Sequence, residues 1–85
     1  MMGAEDTIRQ NARQRISTKL KRLRTERKLS QERMAELAGF HRTYVSQLER
    51  CVTNISIDGL ERLAHALDVD ISVLLEPFSK TDKST

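Results

Sequence analysis

Apolar residues along this chain fall into five short clusters at helical spacing, separated by polar breaks. Ile16, Leu20 and Leu23 recur at three- and four-residue intervals and predict a first helix reaching about Arg27, with Ala12 and Ile8 extending its stripe toward the N-terminus. Ser30 then offers an N-cap hydroxyl ahead of Gln31 and the acidic Glu32, so a second helix should begin at Gln31. The capping box is only half present, because Arg33 stands where Glu or Gln would complete it. Met34, Leu37 and Ala38 form one stripe, and Gly39 can end that helix in a left-handed conformation after about two turns.

Past Gly39, Phe40 suits a plug between helices and Val45 with Leu48 restart the stripe. Ser56 caps a fourth segment whose Ile57, Leu60, Leu63, Ala64 and Leu67 form an apolar face able to cover the second and third helices. Asp70 caps a last segment with Ile71, Val73, Leu74 and Leu75, closed by Pro77. Four large aliphatics in five residues exceed what one side of a short helix buries internally. Ile71, Val73 and Leu74, together with Phe78, are therefore candidates for an isologous dimer interface, in competition with burial against the first helix.

The third helix carries the chemistry. Arg42, Thr43, Ser46 and Gln47 lie off its apolar stripe, and these side chains match what a B-DNA major groove displays. Arg grips guanine with two hydrogen bonds, Gln does the same for adenine, and a Thr methyl touches the thymine methyl. His41, Tyr44 and Arg50 flank the row, placed to reach phosphates and fix register without reading sequence. Polar exposed helices are common, but a short helix, a glycine turn and a second helix arriving as a set favour DNA.

The stretches Leu29-Ser30-Gln31-Glu32, Met34-Ala35-Glu36, Gly39, Arg42-Thr43-Tyr44-Val45-Ser46 and Leu48-Glu49-Arg50 resemble the helix-turn-helix of the phage-repressor (Cro/C1, or XRE) family. Asn54-Ile55-Ser56, Leu60, Leu63-Ala64, Ala66-Leu67 and Val69 resemble its fourth helix and the turn after it. Within the family, the Arg-Thr-Tyr run with the later Ser and Glu-Arg looks most like the controller proteins of restriction–modification systems. The resemblance implies that Gln31 bonds a phosphate, that Arg42, Thr43 and Gln47 occupy base-reading positions, and that Arg24 and Glu49 form an internal ion pair. Two positions depart from the pattern. Cys51 stands where the family commonly has Gly, so either the chain accepts a strained left-handed residue, costing about 1 kcal/mol, or the helix exits differently. Ile55 stands where Pro is frequent.

Composition narrows the classes. Eighty-five residues make one domain, near the size at which a single core just suffices, so dimerisation is a natural supplement. The net charge of +3 is modest but uneven. Residues 1–29 carry nine basic against three acidic side chains, residues 30–55 three of each, and residues 56–85 three against six. One end is thus suited to a polyanion, with Arg9, Arg13 and Arg15 as a candidate arm. No apolar run approaches about 18 residues, which excludes a membrane span; no secretory pattern opens the chain, and the lone Cys51 forms no intrachain disulfide, so a cytoplasmic setting is expected. His41, His65 and Cys51 show no metal-ligand spacing, no phosphate-cradling glycine loop exists, and no nucleophile–base set stands out. No cofactor, metal or enzymatic activity is expected.

Together these readings predict an all-α, five-helix, phage-repressor-like domain over residues 16–77 with a central helix-turn-helix. A basic arm or helix extension (residues 1–15) precedes it and a polar tail (residues 78–85) follows. The expected function is that of a homodimeric regulator binding double-stranded DNA at an inverted repeat, with RNA polymerase a further candidate partner. Alternatives are an antitoxin, a phage-type repressor, or a protein-interaction module, whose binding would respond weakly to salt.

Overall fold

The computed structural model describes residues 11–78. The Ile8 and Arg9 end of the expected arm and the polar tail from residue 79 lie outside them. Five helices follow in order: α1 Ala12–Glu26, α2 Gln31–Ala38, α3 Arg42–Glu49, α4 Ile57–Leu67 and α5 Ile71–Leu74.

The first helix begins at Ala12, inside the stretch expected as a basic arm or helix extension. Asn11 accepts from the Gln14 backbone N–H at 2.9 Å while the Gln14 side chain accepts from the Asn11 N–H at 3.0 Å, a complete capping box. Ser30, Ser56 and Asp70 cap α2, α4 and α5 as expected. Helix α3 differs, since its N-cap, His41, makes no side-chain cap bond.

Four helices end alike. Lys28, Gly39, Cys51 and Asp68 all take left-handed conformations, with φ of 58°, 77°, 62° and 59°. After each, the next N–H reaches back five residues: Leu29 to Arg24, Phe40 to Ala35, Val52 to Gln47 and Val69 to Ala64, at 2.8–3.1 Å. These are Schellman turns, which satisfy carbonyls that a helix end would otherwise leave open. Only one uses glycine. Cys51 therefore accepts the strain that its departure from the family pattern raised.

The core gathers Ile16, Leu20 and Leu23 of α1, Met34, Ala35 and Ala38 of α2, Val45 and Leu48 of α3, Leu60, Leu63, Ala64 and Leu67 of α4, and Leu74 of α5. Helices α2 and α3 pack most extensively on each other, and α1 runs behind both α3 and α5. Three expected apolar assignments are corrected. Leu37 is 44% exposed, because α2 buries the face of Met34, Ala35 and Ala38, and Leu37 projects roughly 100° from its centre. Ile57 is 76% exposed at the first position of α4, outside the row Gly59, Leu60, Leu63, Ala64 and Leu67 that the helix buries. Leu74, expected at a dimer surface, is fully buried in its own core, because α5 turns it toward α1 and α4. Ile71, Val73 and Phe78 remain half-buried at the surface. No described helix is long and apolar enough to cross a membrane.

Candidate nucleic-acid interface

Val45 and Leu48 anchor α3 in the core. That orientation turns Arg42 and Thr43 to the exterior, leaves Ser46 and Gln47 half-buried at its edge, and sets exposed His41 and Arg50 at the two ends. Helix α3 is therefore a short helix with a hydrogen-bonding outer face and an N-terminus without a side-chain cap, the electropositive end of its backbone.

Two arginine clamps fix its attitude. At the C-terminal end, Glu49 accepts from Arg24 Nε and, at 3.0 Å, from Arg24 Nη2, a two-pronged pair whose side chains are only 5% and 12% exposed. Arg24 also donates to the Leu29 carbonyl at 2.6 Å, and the Gln31 amide donates to Glu49 at 3.1 Å. One carboxylate thus ties α1, the first residue of α2 and the end of α3 together. The Gln31 amide, which the resemblance assigns to a phosphate, also takes part in this network.

At the N-terminal end the clamp is Arg62 of α4, which sequence reasoning left without a role. Its Nε donates to the Ala38 carbonyl at 2.9 Å, its Nη2 donates to the Gly39 carbonyl, and its guanidinium lies 4.3 Å from the centre of the Phe40 ring. Phe40 in turn meets Tyr44 edge-on at 4.9 Å. Gly39 is required here twice over: its φ is positive, and a Cβ would fall 2.7 Å from Arg62 Nη2. The Tyr44 hydroxyl donates to the Asn54 carbonyl at 2.8 Å, holding the chain beyond α3 against the helix. Desolvation raises the Tyr44 pKa above its ordinary value, partly offset by the charge of Arg62, so at neutral pH the hydroxyl is a donor. Tyr44, expected at a phosphate, thus has a bond within the domain.

Among the described residues, several basic groups of the N-terminal third are tied down and not left as an open arm. Arg15 turns inward to donate to the Leu75 carbonyl at 3.0 Å, Lys19 is 5% exposed, and Arg22 pairs with Glu26 at 3.0 Å. Arg13, Lys21, Arg27 and Lys28 remain exposed. No charge count could have separated these groups; the facing of each residue on α1 does.

Two helices joined by a glycine turn, the second clamped at both ends and polar outward, define a helix-turn-helix DNA-binding regulator. The Helix-turn-helix family model matches residues 20–74, and the chain belongs to this family, in its XRE (Cro/C1) type. The chain is 36% identical to the control protein C.BamHI of Bacillus amyloliquefaciens over 67 residues, covering 78% of this chain and 83% of that protein. Among solved structures, a hypothetical transcription factor from Neisseria, NHTF, superposes with a TM-score of 0.77 at 37% identity, covering 80% of this chain and 78% of that one. The restriction–modification controller C.AhdI of Aeromonas hydrophila gives 0.69 at 40% identity, covering 71% and 91%.

Proposed function

We propose that this protein is a homodimeric transcription regulator that reads an inverted repeat and controls its own gene, as a restriction–modification controller does. The observation that carries this is the outward face of α3. Arg42, Thr43, Ser46 and Gln47 stand on a helix held at both ends, as base reading requires. His41 and Arg50 at its ends, with the second N–H of the Gln31 amide beside them, serve as phosphate contacts that set register. Tyr44, whose one hydroxyl hydrogen goes to the Asn54 carbonyl, holds the chain after α3 instead. The half-buried Ile71, Val73 and Phe78 support a two-fold interface, which would bring two copies of α3 to half-sites about one DNA turn apart. The relatives named as control proteins support the regulatory setting. In that setting a dimer activates from a high-affinity site and represses from an adjacent weaker one, working in the cytoplasm beside RNA polymerase.

The test is selection of bound duplexes from a random pool, then titration of the winner at two salt concentrations. An enriched inverted repeat with salt-sensitive affinity is expected. Arg42→Ala should lose about 1–3 kcal/mol and relax preference at one base pair, whereas Gln31→Ala should weaken all sequences alike. An unenriched pool with salt-insensitive retention would move the domain to a protein partner.

A further inference from the structure

A Schellman turn lays the residue after the left-handed position against the residue whose carbonyl it meets, and an apolar contact there usually seals the helix end. Leu29, Phe40, Val52 and Val69 hold this place in the four turns, and all are apolar. Leu29, Phe40 and Val69 pack on the core, and Phe40 and Val69 meet the buried alanines Ala35 and Ala64. Val52 is the exception. It is 61% exposed, and the residue across its hydrogen bond is Gln47, on the outer edge of α3.

Val52 therefore extends the Thr43–Gln47 row beyond the end of the helix, adding an aliphatic group to a polar series. Its place is held at both sides: its own N–H bonds the Gln47 carbonyl at 3.1 Å, and the Tyr44 hydroxyl grips the Asn54 carbonyl two residues on. The face it adjoins is the DNA-reading face, so the surface that covers it is a major-groove edge. Thymine alone presents a methyl group there. We infer that Val52 is a specificity-determining residue that seats against the C5-methyl of a thymine next to the base pair addressed by Gln47. This rests on the reading of α3 as the base-reading helix.

The experiment uses the full chain and its selected operator, with each thymine replaced in turn by deoxyuridine, which removes the methyl and leaves base pairing intact. Wild-type protein should bind about fourfold more weakly at one thymine, the increment expected for one buried methyl. Val52→Ala should bind the normal operator more weakly by a similar factor and show no further loss at that deoxyuridine. Gln47→Ala, selected on the same pool, should relax preference at a base pair adjacent to it. Tight operator binding with no deoxyuridine effect, or with losses that simply add to that of Val52→Ala, would overturn the Val52 assignment and leave α3 as the reading helix. A Val52→Ala protein that instead loses self-association in sedimentation would overturn it in favour of a contact between copies. Failure of any operator to emerge would overturn both readings. Thermal melting of Val52→Ala should match the wild type, because the side chain is already exposed.

Discussion

The turns on either side of α3 share one backbone design and are finished in opposite ways. The turn before it uses glycine, covers itself with Phe40 and receives two hydrogen bonds from Arg62. The turn after it uses Cys51 at φ 62°, leaves Val52 in the open and relies on Glu49 and Tyr44 from within the helix. The first is sealed by the rest of the domain. The second keeps backbone strain and apolar exposure at the C-terminal edge of the outer face of α3. Strain of this kind persists only where surrounding contacts hold it; here the Cys51 and Val52 N–H groups bond the Leu48 and Gln47 carbonyls, and the Arg24–Glu49 pair holds the end of the helix that leads into the turn.

Removing that support should have the largest effect. Glu49→Ala leaves Arg24 without its carboxylate in a site where both side chains are almost entirely covered, and should cost about 3–5 kcal/mol in urea unfolding. Equal stability of variant and wild type would mean the second turn does not depend on the pair. Gly39→Ala comes next, at about 2 kcal/mol, from the left-handed backbone and from displacement of Arg62, read as a fall in Tm. Cys51→Gly should act with the opposite sign, raising stability by about 1 kcal/mol while operator affinity stays the same. Should Cys51→Gly destabilise the protein, the two turns would not differ in strain.

The smallest effect lies away from both turns and serves as their control. The Ser72 hydroxyl and backbone N–H both donate to the Asp70 carboxylate and lower its pKa. Its contribution to stability is therefore present above about pH 4 and is lost as pH falls through the lowered folded-state value. Melting of wild type and Asp70→Asn should converge as the solution is acidified through that range.

What the sequence made legible follows from where the signals are local. Ser30, Ser56 and Asp70 act on N–H groups two or three residues away, and Gly39 announces its own turn, so the start and stop of α2 could be read directly. Lys28 and Asp68 occupy the same left-handed geometry without glycine, closed by the Leu29-to-Arg24 and Val69-to-Ala64 backbone bonds, so residue identity does not announce either turn. Asn11 escaped notice because its partner is a Gln in a stretch with little apolar pattern. Leu37 and Ile57 fit a helical stripe, but the choice between neighbouring faces of a two-turn helix belongs to the packing partner. The polar row on α3, proposed to read bases, was visible as polarity off a stripe. Arg62 was not, because its targets are main-chain carbonyls distant in sequence, and those have no signature in residue identity.

Main-chain oxygen is common to all residues, and this gives the Arg62 clamp its further meaning. Arg62 grips the carbonyls of Ala38 and Gly39, and Arg15 and Arg24 grip those of Leu75 and Leu29, so the frame around α3 is fastened mostly to atoms that no substitution removes. The outward residues of α3 can therefore be exchanged as a cassette. If α3 reads bases as proposed, a library varied at Arg42, Thr43, Ser46 and Gln47 alone would sample new operators on one unchanged chassis.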